Sequence, residues 1–469
     1  MSDPVFQAIA RARSGFVEAA AGCGKTEAIV RTVGTYCDGC QLVLTHTHAG
    51  VDALRQRFRS LGVKRSKYHV DTIAGWAWGW VRLYPGNGGY RGSIDVAEWT
   101  SVYAAMCNLL QKGFVRYGIL NSYTGVIVDE YQDCTASMHA LILELRNLLP
   151  CRVLGDDLQG IFGFRDELVG WSDVRGAFGI NLGTLDTPHR WIRAGNENLG
   201  KWLQNARGDF RAGREPSYRA SPVEYRSINY AELSRQLIGI AHGKPGRICV
   251  IGPKARRLPA TVETALVNHR FHVLEPNDLT VLQVLVQALS DASAADKSGA
   301  ALEFLESAFG GLDSDEKRFL AALLANKAQR PRRVDRQALC AKHKEGVTAQ
   351  LLIDLLDYVT NTLKKPPKLS ESISALKCVL EGHLENGASL KALYAQEIAQ
   401  RKYHSRDHVH RCIGSTLLVK GLEFDHAIVL RSPAWQKSWG THKDLYVALT
   451  RGAKSTMLVD LMDGDGARG

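Results

Sequence analysis

Nowhere does the chain hold the roughly 18 consecutive apolar residues that a bilayer-crossing helix needs, so no helical membrane span is expected. The opening stretch MSDPVFQAIARARSGF has no long apolar centre, which argues against a secretory signal. A disulfide framework is missing too: the ten cysteines are scattered without a repeating spacing, as fits a reducing compartment. These absences lead to the expectation of a soluble, cytoplasmic protein with no membrane partner. Zinc chemistry is poorly supported. The one CxxC, Cys37 to Cys40, has no second half-site; His46 and His48 sit on or just past an apolar run, QLVLTHTH. Two ordinary thiols in a turn are the simpler reading. Internal repeats and low-complexity tracts are absent as well.

What is there is a long chain with a large apolar share: 469 residues, 45% of them hydrophobic, enough for more than one core. The net charge of +11 leans towards a polyanionic partner. Short apolar runs alternate with helical spacing: GFVEAA, QLVLT, GVIVDE and CRVLGD in the first part, RICVIGP, FHVLEP and HAIVLRS in the second. Strands alternating with helices indicate an α/β fold with parallel, doubly wound sheets. The expected organisation is two α/β cores. The first takes residues 1–73 and 123–178, interrupted by a small inserted subdomain, 74–122, rich in Trp, Gly and Tyr. The second takes 179–275 and 411–469, interrupted by a helical insertion, 276–410. After Arg451 only a short acidic and glycine-containing tail is expected.

Two motifs carry chemistry. AAAGCGKT (19–26) lies between an apolar run and a helical segment. Backbone N–H groups of Ala21, Gly22, Cys23 and Gly24 can turn inward around phosphate oxygens at the positive end of the following helix. Lys25 would reach the β and γ phosphates and Thr26 would ligate Mg²⁺. The strict pattern has Gly at position 19, where this chain has Ala. The second motif, VIVDEYQD (126–133), places four polar or acidic side chains directly behind a buried apolar triplet. Such a cluster repels itself unless something neutralises it; the expected neutraliser is a cation shared with a nucleotide phosphate. Asp129 would hold Mg²⁺ and Glu130 would activate the attacking water.

The whole string DEYQD resembles the second motif of the UvrD/Rep/PcrA group of superfamily 1 DNA helicases. VLGDDLQGIFGFR (153–165), LDTPHRW (185–191), STLLVKGLEFDHAIVL (415–430) and LYVALTR (445–451) resemble that family's third to sixth motifs, in order. The resemblance implies two RecA-like cores with small helical insertions, ATP and Mg²⁺ as cofactors, and single-stranded DNA, or DNA with a single-stranded tail, as partner. It implies that Gln159 senses the γ-phosphate and that Arg190 and Arg451 are arginine fingers from the second core. Gln7 would contact adenine, His189 would lie on the base and Glu423 would bind the ribose. LTHTHAGVDALRQRF (44–58) and VDTIAGW (70–76) fall where DNA-contact motifs belong, which implies contacts from Thr47, His48, Thr72 and Thr416 and stacking by Trp76 and Phe164.

Several positions depart from the family pattern. Glu27 stands in place of an Arg that packs on adenine, His189 in place of a Tyr, Pro188 and His48 in place of Asn, and Ala74 in place of His. Selectivity for adenine is what these departures put in question. The compact chain also resembles the helicase subunit of Gabija anti-phage systems, which would imply a separate nuclease subunit as partner. The leading expectation is an ATP-dependent translocase moving 3′→5′ on single-stranded DNA. The alternative is a DNA-regulated ATPase subunit of an anti-phage complex that gates a nuclease with little unwinding of its own.

Overall fold

The computed structural model describes residues 3–92, 99–161, 167–252, 260–274, 278–291, 293–327, 331–367, 369–395, 397, 410–432 and 441–462. Two compact units emerge: Met1–Leu274 with Val409–Gly469, and Glu275–His408. The first unit contains two six-stranded sheets, every pair of neighbouring strands parallel, which makes two RecA-like α/β cores.

In the first sheet the strands are β1 (Ser14–Ala19), β2 (Gln41–Thr45), β3 (Tyr68–Thr72), β4 (Gly125–Val128), β5 (Cys151–Gly155) and β6 (Asn181–Leu185), in the order β3-β2-β4-β5-β1-β6. Both faces are covered, so its central strands read as unbroken apolar runs. Alternate residues serve opposite layers. Phe16, Leu42, Leu44, Val126, Val128 and Val153 enter one core cluster. Val17, Val43, Ile127 and Leu154 enter the other. The second sheet holds β7 (Glu224–Asn229), β8 (Ile248–Gly252), β9 (His272–Val273), β10 (Arg411–Ser415), β11 (Phe424–Arg431) and β12 (Gly452–Met462), in the order β7-β12-β11-β8-β10-β9.

Three sequence expectations need correction. β6 pairs with β1, so the first core extends to Leu185 and does not end at 178. The segment 74–122 is no free-standing subdomain. Its helices Ile73–Val81, Trp99–Leu110 and Gly113–Ser122 share one apolar cluster with the first sheet through Trp76, Val102, Met106 and Ile119. The stretch after Arg451 is no tail: β12 runs eleven residues between β11 and β7, because STMLVDLM supplies buried apolar positions on a central strand.

The second unit is helical among its described residues. Helices Asp278–Asp291, Ala294–Ala308, Ser314–Leu324, Ala349–Asp357 and Ser370–Asn386 close over a core that includes Leu285, Phe304, Leu320, Leu355 and Leu376. Helix Ser314–Leu324 starts on a reciprocal cap, with Asp313 accepting from the Glu316 N–H and Glu316 from the Asp313 N–H.

Gly452 is the tightest point of the second sheet. A Cβ there would lie 2.2 Å from the Ser455 carbonyl oxygen and 3.0 Å from the Ala427 nitrogen, both backbone atoms that cannot swing away. Gly79, inside helix Ile73–Val81, faces open space. We therefore expect Gly452→Ala to cost about 1–3 kcal/mol and Gly79→Ala to add about 0.5–1 kcal/mol. Thermal midpoints should move in opposite directions.

Candidate nucleotide site

The site forms where the C-terminal ends of β1, β4 and β5 meet residues of the second sheet. After β1 the chain turns through Ala20–Gly24 into helix Lys25–Arg31. Gly22 (φ +66°) and Gly24 (φ +86°) take left-handed backbone, which a glycine adopts without penalty. They also admit close neighbours. A Cβ on Gly22 would meet the Trp191 ring at 2.8 Å and Arg190 Cβ at 2.9 Å; one on Gly24 would meet the His189 ring at 3.3 Å. The Arg190 N–H donates to the Gly22 carbonyl at 3.1 Å, so LDTPHRW lies directly on the loop.

Lys25 is buried, with its Nζ 3.5 Å from Glu130 Oε1. Burial alone would lower its pKa, but Glu130, Asp156 and Asp129 outweigh that and hold the ammonium above its ordinary value. Thr26, the next residue, is half-buried. The acids follow β4. Asp129 is 5% exposed, and its Oδ1 accepts the Glu130 N–H at 2.9 Å. Burial, then the adjacent Glu130 carboxylate, pushes Asp129 up to about 7. Burial would raise Glu130 as well, but Lys25 and a hydrogen bond from Gln132 Nε2 (2.6 Å) hold it below the carboxylate range. Asp129 is therefore the member of the pair that gives up its proton less readily. Glu130 also takes left-handed backbone, φ +54°, a strained choice for a side-chain-bearing residue.

The remaining acids are neutralised from the second sheet. Lys420 Nζ lies 2.5 and 2.6 Å from the two Asp133 oxygens and also donates to the Gln159 carbonyl. Both members of this pair are buried. Burial pushes Asp133 up to about 6 against the pull of Lys420, and lowers Lys420 despite Asp133. Asp156 accepts from Arg207 Nη1 at 2.8 Å; burial would raise its pKa, but Arg207 and Lys25 bring it down. Lys420 lies within the motif STLLVKGLEFDHAIVL, which gives it no partner, and Arg207 lies outside every motif. Only the folded contacts reveal what either does.

Gln159 Nε2 donates to Asp156 Oδ2 at 2.8 Å, and Arg451 Nη2 donates to Gln159 Oε1 at 3.3 Å. Arg451 is fully buried; burial, then the nearby Arg190, lowers it to about 10, so it stays charged at neutral pH. Arg190 donates to the Thr450 carbonyl and to Glu423 Oε1, both at 2.6 Å. Glu423 is thus an ion-pair partner of Arg190. Glu27 is taken up by Arg31 and Arg57, each at 2.5 Å. Gln7 sits half-buried on helix Asp3–Arg11. Cys23 lies in the loop with its thiol pushed up to about 11, by burial first, which leaves it unreactive.

The expected DNA-contact set is not brought together. Thr47 and Thr72 both act as N-caps, accepting from Gly50 N–H at 3.0 Å and Gly75 N–H at 2.8 Å. Trp76, 3% exposed, packs in the core of the first sheet and offers no face for stacking. Thr416 is 0% exposed. The His48 side chain and Phe164 lie outside the described residues.

Among the described residues no group of three or more His, Cys, Asp or Glu converges as a metal cage. Mg²⁺ does not need one, since it is commonly held by one or two carboxylates plus substrate phosphates. A Thr26 hydroxyl beside the loop and the buried Asp129 carboxyl, which would bind as the carboxylate, fit that donor set. Cys37 and Cys40 are free thiols.

Neither a protein-family model nor a curated protein matches the chain. Among solved structures it is similar to the arterivirus nonstructural protein 10 helicase, at a TM-score of 0.36 and 11% identity over 99% of this chain and 62% of that one. It is likewise similar to the same arterivirus helicase in complex with DNA, at 0.36 and 11%, over 99% of this chain and 64% of that one. The chain spans less than two thirds of the length of these neighbours.

Replacing Lys420 by Met would strand Asp133 as a buried carboxyl without its cation, at a cost of about 3–5 kcal/mol. Adding Asp133→Asn should recover much of that loss. The folded Asp133 holds its proton to about 6, while an unfolded aspartate releases it near 3.9. Its contribution therefore favours folding most below pH 4 and is lost as pH rises through 6. Without Lys420 that window moves to higher pH. Denaturant titrations at pH 5 and pH 8 should thus show a smaller Lys420→Met penalty at the lower pH.

Proposed function

We propose that the chain is an ATP-dependent translocase or helicase acting on single-stranded DNA, with hydrolysis coupled to closure of the two cores. The carrying observation is the meeting of Lys25, Glu130 and Gln159 from one sheet with Arg190 and Arg451 from the other. Phosphoryl transfer needs little from a protein beyond positioning and the neutralisation of spreading charge. Planar guanidinium groups suit that task. The glycine loop presents N–H groups to the phosphates, and Lys25 points into the same space.

In this structure Lys25 and Glu130 neutralise each other at 3.5 Å. An arriving triphosphate competes for Lys25 and so releases Glu130, which then takes the proton of the water that attacks the γ-phosphorus. Mg²⁺, when bound, supplies charge neutralisation at the phosphates, with Thr26 and Asp129 as its protein ligands. Arg190 leaves Glu423 for the phosphate, and Arg451 approaches beside Gln159.

The nucleic-acid half of the reading is supported by charge. The chain carries +11 overall. From Arg55 to Lys67, the end of helix His48–Ser60 and the turn after it carry Arg55, Arg57, Arg59, Lys64, Arg65 and Lys67 and no acid, and Arg59, Lys64 and Arg65 are exposed. The motif resemblance points to DNA and to 3′→5′ movement. The first sheet's Glu27, tied to two arginines, leaves adenine without its usual partner, so other nucleoside triphosphates should serve as substrates too.

Steady-state ATP hydrolysis with and without single-stranded DNA tests the proposal. Wild type should be stimulated by DNA. Lys25→Ala and Glu130→Gln should each lose about 10²–10⁴-fold in turnover, with Glu130→Gln still binding ATP. Hydrolysis indifferent to DNA would remove the autonomous motor and favour the ATPase that gates a partner nuclease.

A further inference from the structure

We propose that Arg207 is a positioning residue for Gln159, setting the second sheet's hold on the γ-phosphate sensor through Asp156. The inference rests on the function proposed above and adds a residue that no motif contains. Arg207, half-buried at the start of helix Arg207–Arg211, forks across two neighbouring carboxylates. Its Nη1 donates to Asp156 Oδ1 (2.8 Å) and to the Tyr446 hydroxyl (2.8 Å), and its Nη2 to Asp157 Oδ1 (3.0 Å). Tyr446, on the helix that leads to Arg451, donates in turn to Asp156 Oδ2 at 3.4 Å.

The Asp156 carboxylate is fully engaged. Besides those donors it takes the Leu158 N–H on Oδ1 (3.2 Å) and the Gln159 amide on Oδ2 (2.8 Å). An amide that gives its NH₂ to Asp156 must turn its oxygen the other way, and there Arg451 Nη2 meets it at 3.3 Å. Arg207, Asp156, Gln159 and Arg451 thus form one chain of contacts that starts and ends on the second sheet and passes through the first. The rigid fork of a guanidinium spans both aspartates and the Tyr446 hydroxyl at once; an ammonium is a point charge without that fork. Arg211 supplies the internal control. It pairs with Asp157 (2.7 Å) and Glu18 (3.4 Å), across the same junction, without touching Asp156.

A sensor of the γ-phosphate shows itself as a preference for triphosphate over diphosphate. Calorimetric titration of the full chain with ADP and with a non-hydrolysable ATP analogue, both with Mg²⁺, reads that preference directly. Arg207→Lys should cut it about tenfold, as should Gln159→Ala, and the double variant should lose no more than either alone. Arg211→Lys should leave it intact. Should Arg207→Lys fail to fold, Tyr446→Phe removes one hydroxyl from the same junction. It should lower the preference about threefold, again without adding to Gln159→Ala. Losses that multiply, an unchanged preference, or an equal loss in Arg211→Lys would each overturn the relay and leave the proposed function standing. A wild-type chain that binds neither nucleotide would sink the function, and the relay with it.

Discussion

The burial of acids beside the glycine loop is the constraint on which the rest of this molecule turns. Three carboxylates here, two of them buried, each have a cation within reach. Lys25 serves Glu130 from within the first sheet, whereas Lys420 serves Asp133 and Arg207 serves Asp156 from the second. Two of the three cations therefore cross between the cores. The chemistry of the site and the attachment of one core to the other are the same set of interactions. Asp129 alone among these acids lacks a direct ion pair, and burial raises its pKa instead. That is the place where a divalent cation would relieve the most strain.

This arrangement answers the question raised by the string DEYQD differently from the way the sequence alone suggests. The acids were expected to share a metal and a nucleotide phosphate. In the folded chain two of them are already matched by lysines, one of which, Lys420, lies 287 positions away from its partner. Ligand chemistry would then act by competition, drawing lysines off carboxylates, rather than by filling an unbalanced pocket.

Much of the fold was legible because buried parallel strands must be apolar on both faces. The runs behind β1, β2, β4, β5, β8 and β11 announce themselves that way. β3, β6 and β7 did not, and all three are edge strands; YHVDT, NLGTL and EYRSIN carry polar residues where one side meets solvent. β12 was missed for another reason: its apolar stretch follows a motif that ends in an arginine and was read as a tail. For the site, residues within short motifs could be placed by spacing. Arg207 could not, since nothing local marks a side chain whose partner sits on another sheet. Thr47 and Thr72, expected as strand contacts, also cap helices, a use of the hydroxyl oxygen that motif spacing does not show.

Trp191 touches both the glycine loop and the second sheet. Its ring lies against Gly22 of the glycine loop, and its indole Nε1–H donates to the Gly452 carbonyl at 2.9 Å, at the head of β12. The indole is thus a built-in optical reporter. Its emission depends on the polarity around the ring and on that one hydrogen bond, so any shift of the loop relative to the second sheet changes the colour of its fluorescence.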